Sequence, residues 1–330
     1  MHALREAQAR LDALAAGRYR ARVLEPSPPA VHDQPWVADD PVVTTLEDVP
    51  AGRTVVSPLS TGEETWDRLA RENVELARWC AARWLGAWAP LASIDDVETL
   101  HATRRSWQAL AEHVLAPARY QASAKIGLRR TRQGFGTPFF VGSDGADVQL
   151  RVEGTDVVVD RGDAERRLTI STLGDVARTV GVNLADPPAV YEPTTTVEAD
   201  ERLVVDADAA ARLGDWFAFA ASVLEELRAA APDGPATRVQ LWPEHFDCSI
   251  DLGDDSAGQR GTFGASPGDD GHPLPYLYVT HWADRPADPY WNDPGFGGAS
   301  LGYEPLTAAA DGRETALGFF REGRERLASP

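Results

Sequence analysis

Cysteine and lysine are scarce in this 330-residue chain. The two cysteines, Cys80 in a helical pattern and Cys248 in a strand pattern, are too few for a disulfide framework or a zinc knuckle. We therefore expect two buried thiols that pack as small apolar groups. Lys125 is the only lysine, so almost all of the positive charge is arginine. We attribute this bias to coding composition rather than to phosphate recognition.

Long apolar runs are also missing. No segment approaches the ~20 consecutive apolar residues that span a bilayer. The N-terminal sequence MHALREAQARLDALAAGRYRARV contains no apolar run of signal-peptide length. We therefore expect a cytoplasmic protein that has no membrane partner.

Basic residues are outnumbered by acidic ones. The chain has 51 Asp and Glu against 32 Lys and Arg, which gives a formal net charge of -19. A charge of this sign repels polyanions and anionic lipid surfaces. The balance argues against DNA and RNA as partners and leaves a small molecule or a second copy of the chain.

The apolar content, 43% of the residues, is high enough to build hydrophobic cores. Residues 1–93 predict a helical N-terminal extension. A helix over residues 3–16 is followed by the proline-rich connector EPSPPAVHDQPWVADDPVV, and a second helix runs from Thr61 to Pro90. Tryptophans recur at helical spacing along this second helix, and we interpret them as core residues rather than as a cofactor site.

The remaining chain predicts an α+β fold made of two related halves, each a helix followed by an antiparallel meander. Residues 94–205 form the first half. Its helix runs from about Ile94 to Leu115 and is broken by Pro117. The strand-like segments that follow are SAKIGLRRT, GFGTPFFV, VQLRVEG, TDVVVDRG and RRLTIST.

Residues 206–330 form the second half. A long helix runs from Asp206 to about Ala231. The strands that follow are TRVQLWPEHFDCSIDLG, GQRGTFGAS and LPYLYVTHW, and the helix GRETALGFFREGRERL closes the chain.

The long helices of the two halves share the pattern W-x-A-x-A-x2-V-L-x3-R, which begins at Trp107 in the first and at Trp216 in the second. Because each helix precedes a similar antiparallel series, the shared pattern predicts an internal duplication. The alternative is chance similarity between two alanine-rich amphipathic helices.

The stretch LWPEHFDCSIDLG, residues 241–253, holds the best candidates for chemistry. If it is one strand, His245 and Asp247 lie side by side on its polar face, because side chains alternate along a strand. The opposite, apolar face then carries Trp242, Phe246, Cys248, Ile250 and Leu252.

In the functional interpretation, His245 and Asp247 bind a polar ligand or a divalent ion together with His272 or His281 across the sheet. The nearby acids Asp254, Asp255, Asp269 and Asp270 join them. His245, Asp247 and His281 are the metal candidates, because imidazole and carboxylate suit zinc or manganese. Trp291 completes the candidate ligand-binding set. The pair His245 and Asp247 could also act as a general base with its orienting acid.

The alternative interpretation is an ordinary strand with a solvated face. The acid pairs in LGDDSAGQ and SPGDDGHP then serve only as turn residues. The spacing H-x-D matches no dedicated metal or hydrolase signature, and the chain has no metalloprotease motif, G-x-S-x-G elbow or P-loop. The sequence therefore identifies no cofactor and no catalytic residue.

Three segments resemble a group of uncharacterised bacterial proteins. They are a WPxHFD-like strand, an FGxSPGD-like loop and an aromatic YxY strand, found here in WPEHFD, FGASPGD and YLY. The resemblance covers about residues 95–328 and is clearest over 238–282. It implies the helix-and-meander architecture, and it implies no activity, cofactor or catalytic residue.

These observations predict a protein that binds a small ligand or a metal ion in a cleft between the halves, and they leave open whether it is an enzyme. The alternative is a non-catalytic interaction or structural protein that docks onto a partner through its aromatic segment, residues 276–296. A flat exposed patch formed by Trp282, Tyr290, Trp291 and Phe296 would favour this alternative.

Overall fold

The computed structural model describes residues 54–56, 63–65 and 90–329, apart from residues 132, 138–139, 142–146, 162–163, 185–189, 197, 231–235, 238 and 285–286. The helix predicted over 3–16, the proline-rich connector and Cys80 lie outside the described residues. Strands β1 (Thr54–Val56) and β2 (Glu63–Thr65) pair antiparallel. The helix predicted from Thr61 is therefore wrong at its start, and most of its length lies outside the described residues.

The first half begins with an almost unbroken helical segment. Helix α1 (Val97–Leu110) passes into a π-helical turn (Ala111–Leu115) and then into α2 (Ala116–Ser123). The prediction that Pro117 ends the helix was wrong. Pro117 lies in the first turn of α2, directly after the π-helical turn. The π turn shifts the backbone hydrogen-bond pairing at this point, so the N–H that proline lacks is not needed there.

The first sheet is an antiparallel meander in the order β3–β4–β6–β7–β8, and a short strand, β5, also pairs with β6. Helix α3 (Leu173–Val180) follows the sheet. The strands are β3 (Arg129–Thr131), β4 (Gly134–Gly136), β5 (Phe140–Val141), β6 (Asp147–Glu153), β7 (Asp156–Asp160) and β8 (Glu165–Thr169).

The second half opens with α4 (Ala207–Ala229). Its N-cap, Asp206, accepts hydrogen bonds from the backbone N–H groups of Asp208 and Ala209, as predicted for this helix start. The second sheet is antiparallel in the order β9–β10–β11–β12–β13. The remaining elements are β9 (Gln240–Trp242), β10 (Asp247–Leu252), β11 (Gly261–Ser266), β12 (Tyr276–His281), β13 (Ala299–Gly302), α5 (Tyr303–Ala308) and α6 (Gly312–Ala328).

The two sheets meet at Leu128 and Leu241, whose backbones exchange hydrogen bonds of 2.8 and 2.9 Å. Helix α4 packs against strands of both sheets. Phe246, from the second half, meets Phe135 of the first sheet edge-to-face at 5.1 Å between ring centroids. The two halves therefore share one core, and the predicted α+β class is confirmed.

The predicted duplication remains a prediction. Trp107 and Trp216 are both fully buried. The indole N–H of Trp107 donates to the carbonyl of Gly154, 3.2 Å away, whereas that of Trp216 has no acceptor in the described part of the chain and its ring stacks on Phe219. The two tryptophans thus share their burial but not their hydrogen bonding.

Candidate functional site

The stretch LWPEHFDCSIDLG forms a β-hairpin and not the single strand that its alternation predicts. Trp242 at the end of β9 pairs with Asp247 at the start of β10, and residues 243–246 make the turn. Pro243 disfavours a continued strand, and Phe246 takes a left-handed φ of 52° that lets its N–H donate to the Trp242 carbonyl, 2.7 Å away.

Because of the hairpin, Trp242 lies on a different face of the sheet from the one predicted. Paired residues of an antiparallel ladder project on the same side, so Trp242 lies with Asp247 on the polar face and not on the core face. The prediction for Trp242 was therefore wrong. The predicted burial of Phe246, Cys248, Ile250 and Leu252 is confirmed.

The polar face of the second sheet forms the floor of a groove of about 1120 Å³. Helix α1 supplies one wall and the segment Thr194–Thr196 a second, while the loop between β11 and β12 lines one end. The other face of the sheet packs on α4 and α6. The floor residues are Asp247, Ser249 and Asp251 of β10, Thr262 and Ser266 of β11, and Tyr276, Tyr278 and Thr280 of β12.

Asp247 is the most unusual residue of this floor, because its side chain is buried and only half satisfied. The residue is 3% exposed. Its Oδ2 accepts a hydrogen bond from the Tyr278 hydroxyl, whereas its buried Oδ1 has no partner in the described chain. The alternative interpretation is therefore wrong for Asp247, which does not lie on a solvated strand face. His245 is exposed, as that interpretation predicts.

Burial raises the pKa of Asp247 to about 6. The hydrogen bond from Tyr278 and the positive charge of His245 lower this pKa, and the negative charge of Glu244 raises it. The pKa of Tyr278 is raised well above its ordinary value by burial and by the charge of Asp247. The tyrosine therefore keeps its proton and remains the donor of the pair.

Glu244 and His245 stand in the hairpin turn at the edge of the groove. The Oε2 of Glu244 is buried and, like the Oδ1 of Asp247, has no hydrogen-bond partner in the described ranges. The Glu244 carbonyl accepts from the Gln108 side chain and from the Thr194 hydroxyl, each at 3.4 Å. His245 is exposed at the groove. The turn thus adds a second carboxylate, whose negative charge acts on Asp247.

Glu112 holds the Thr194–Thr196 wall in place. Its side chain is fully buried in the π-helical turn. One carboxylate oxygen accepts from the Thr194 N–H at 3.1 Å and the Thr194 hydroxyl at 2.6 Å, and the other accepts from the Thr195 N–H at 2.9 Å and from its hydroxyl. A π-helical turn that aims a carboxylate in this way is a feature often found at functional sites.

The wall made by α1 is basic and polar. His101, Arg104, Arg105 and Gln108 recur at helical spacing and all line the groove. Arg104 is 7% exposed, and its Nε has no hydrogen-bond partner among the described residues. Burial lowers the pKa of Arg104, while the charges of Asp269 and Asp270 raise it.

The predicted histidines do not converge on Asp247. His281 alternates with Thr280 and lies on the opposite face of β12, where its ring meets Trp291 edge-to-face at 5.1 Å between centroids. His272 does not line the groove. Its ring stacks on Tyr276 at 4.2 Å, and its Nε2 lies 3.0 Å from the carboxylate of Asp293.

The three metal candidates, His245, Asp247 and His281, are therefore not brought together. Within the described ranges, no group of three His, Cys, Asp or Glu side chains is placed to hold a metal ion. Of the predicted ligand-binding residues, His245 and Asp247 share the groove. His272, His281 and Trp291 do not line the groove, because strand alternation directs His281 away and the β11–β12 loop directs His272 toward Asp293. Their role in ligand binding stays a prediction.

The aromatic residues of segment 276–296 do not make one flat surface. Phe296 contacts Tyr278 on the groove side of β12, at 6.0 Å between centroids, whereas Trp291 packs beside His281 on the other side. Tyr290 packs on Phe319 of α6. The exposed Trp282 stacks under the Arg260 guanidinium. This arrangement does not favour the docking alternative.

Comparison with protein-family models, with curated proteins and with solved structures finds no match for this chain. The resemblance to uncharacterised bacterial proteins therefore remains a prediction. Among the helices that the structure describes, none has the length and apolar character needed to cross a membrane.

Proposed function

We propose that this protein binds a small polar molecule in the groove, with a hydrogen-bond donor group of the ligand held between Asp247 and Glu244. The observation that carries the proposal is the buried, unpartnered Oδ1 of Asp247. Nearly all buried polar atoms of native proteins have a partner, and an unmet one inside a concave site marks a place where a ligand can supply it.

The chemistry of the two carboxylates defines what the ligand must offer. An ionised carboxylate only accepts hydrogen bonds. The unpartnered oxygens of Asp247 and Glu244 therefore need an N–H or O–H donor from the ligand. An ammonium group would also offset the negative charges of these two neighbouring carboxylates. Ammonium and hydroxyl compounds are accordingly the proposed ligand class. Among the described residues, no group of three His, Cys, Asp or Glu side chains is placed to hold a metal ion.

The arrangement also suits general acid–base catalysis. A carboxyl group whose pKa lies near 6 can accept a proton from a bound hydroxyl or ammonium group at neutral pH. Tyr278 would hold the carboxyl in position through Oδ2, and the unpartnered Oδ1 would accept from the ligand. Turnover of any ligand found would decide whether the protein is an enzyme.

The proposal is tested by a thermal-shift screen of amines, polyols and amino acids on the full chain, followed by calorimetric titration of the compounds that stabilise it. Asp247→Asn keeps the shape of the side chain but replaces one acceptor with a donor. We expect it to abolish the stabilisation by donor ligands. Asp255→Asn, at an exposed position outside the groove, makes the same change in charge and serves as the control. Equal stabilisation of both variants would contradict the proposal.

A further inference from the structure

The groove is lined by both basic and acidic side chains, and Asp269 and Asp270 lie near Arg104. Helix α1 presents His101, Arg104 and Arg105 on one side. The hairpin β9–β10 presents Glu244 and Asp247 on the other side. A ligand that lies across this groove meets a cationic group at one end and two acceptor carboxylates at the other.

Arg104 is the basic residue of this wall whose bonding is incomplete. Its Nε is buried and has no hydrogen-bond partner in the part of the chain that the structure describes. Arg105 already donates to the carbonyl of Thr196 at 2.9 Å, and the Nε2 of His101 lies 3.7 Å from Asp270. A buried guanidinium without an anionic partner is unfavourable, because its desolvation is not compensated.

The acids nearest to Arg104 do not complete its bonding. One oxygen of Asp269 accepts from the N–H groups of Gly271 at 2.7 Å and His272 at 2.8 Å, and the other accepts from the Tyr276 hydroxyl at 2.6 Å. Asp269 would lose these bonds if it turned to Arg104. Asp270 has a fully exposed side chain. Both acids offset part of the charge of Arg104, and its Nε keeps no hydrogen-bond partner among the described residues.

We propose that the groove binds a zwitterionic ligand of the amino-acid class, whose ammonium group contacts Asp247 and Glu244 and whose carboxylate contacts Arg104. This inference rests on the proposed function, which supplies the contact of the ligand's ammonium group with Asp247 and Glu244. The inference adds the contact of the ligand's carboxylate with Arg104. A guanidinium binds a carboxylate through charge-assisted and often bidentate hydrogen bonds, which gives both affinity and orientation.

The inference is tested with three compounds of the same chain length on the full chain. γ-Aminobutyrate carries both charged groups, butylamine carries only the ammonium group, and butyrate carries only the carboxylate. Glycine and β-alanine shorten the separation between the charges and so measure the spacing of the two walls. We expect at least one of the three amino acids to bind about tenfold more tightly than butylamine or butyrate, by calorimetric titration.

Substitutions at Arg104 test whether this residue contacts the carboxylate of the ligand. Arg104→Gln is expected to remove the preference of the groove for the amino acid over butylamine. Arg104→Lys keeps the charge and should retain part of the preference. Arg178→Gln, at an exposed position on α3 outside the groove, makes the same change in charge and should bind as the unmodified protein does. Circular dichroism of each variant confirms that the fold is intact.

Two results would overturn the inference. If butylamine binds as tightly as the amino acids and Arg104→Gln has no effect, the anionic end is wrong while the proposed function stands. If neither the amino acids nor butylamine bind, the zwitterionic class is wrong, and the screen with Asp247→Asn then decides the proposed function separately.

Discussion

The hydroxyl of Tyr278 reaches Asp247 by crossing the strand between them, above Gly264. Tyr278 pairs with Gly264, and Gly264 in turn pairs with Ser249 of the strand that carries Asp247. A methyl group at position 264 would overlap the Tyr278 ring. The absence of a side chain on β11 is thus what allows the tyrosine to lie flat across the groove floor and bond the carboxylate.

Gly264→Ala is expected to displace the Tyr278 ring and to weaken ligand binding in the groove. Overpacking of this kind costs about 1–3 kcal/mol of unfolding free energy. The measurement is urea unfolding together with ligand titration. Gly318→Ala is the matched control, because a methyl group there meets no neighbouring atom and alanine favours the helix. If both variants behave alike, Gly264 does not have this role.

Asp247 should make the stability of the protein depend on pH between about 4 and 6. Its pKa is about 6 in the folded chain, against about 4 in an unfolded chain. The folded state therefore holds the proton more tightly, so the contribution of Asp247 is fully present below pH ~4 and is lost as the pH rises through about 6. The loss is at most about 3 kcal/mol at neutral pH.

Asp247→Asn removes this titration. The unfolding free energy of the variant, measured by urea unfolding from pH 4 to 8, should rise relative to that of the unmodified protein as the pH increases through 6. The charges of His245 and Glu244 also act on Asp247. Because Glu244 raises the pKa of Asp247, Glu244→Gln should shift the pH-dependent change in unfolding free energy to lower pH. A constant difference between Asp247→Asn and the unmodified protein would show that this carboxyl ionises normally.

Glu112→Ala is expected to release the Thr194–Thr196 wall. The substitution removes the acceptor for two backbone N–H groups and two hydroxyls. Hydrogen bonds to a charged group contribute about 1.5–3 kcal/mol each, so a loss of at least ~3 kcal/mol in unfolding free energy is expected. Hydrogen exchange gives a local readout, because the amides of Thr194 and Thr195 should exchange much faster in the variant. Unchanged protection of these amides would mean that other contacts hold the wall.

Phe246→Ala tests the packing between the two halves. The Phe246 ring meets Phe135 at 5.1 Å and Phe217 at 5.4 Å between centroids, and its removal leaves a cavity in the shared core. We expect a loss of about 3–5 kcal/mol in unfolding free energy. A loss below about 1 kcal/mol would be roughly threefold smaller than the smallest loss expected for a core phenylalanine. It would show that the ring is not a core residue.

The sequence predicts some of these features and not others, for physical reasons. Alternation along Cys248, Ser249 and Ile250 assigns the core and groove faces of β10 correctly, because burial on one side imposes a period of two. The hairpin is missed because its left-handed residue is Phe246, whereas glycine or asparagine would normally signal such a turn.

The site is harder to predict than the fold. Arg104 lies on α1 and Asp247 on β10, and no spacing within either element indicates that they face the same groove. Glu112 is likewise buried for a contact with Thr194, far along the chain. Tyr276 and Tyr278 offer a further signal that sequence reasoning could use, since residues two apart on a strand share a face. Contacts between distant segments depend on tertiary packing and leave no periodic pattern.

The central claim is that the buried carboxyl of Asp247 accepts a donor group from a ligand in the groove. The most direct test is the pH titration of this carboxyl by carbon NMR, assigned by comparison with Asp247→Asn, with and without saturating butylamine. The account predicts a pKa near 6 in the free protein and a lower pKa with butylamine, because a bound ammonium favours the charged carboxylate. A carboxyl that titrates near pH ~4, as an ordinary aspartate does, and is unaffected by butylamine would contradict it.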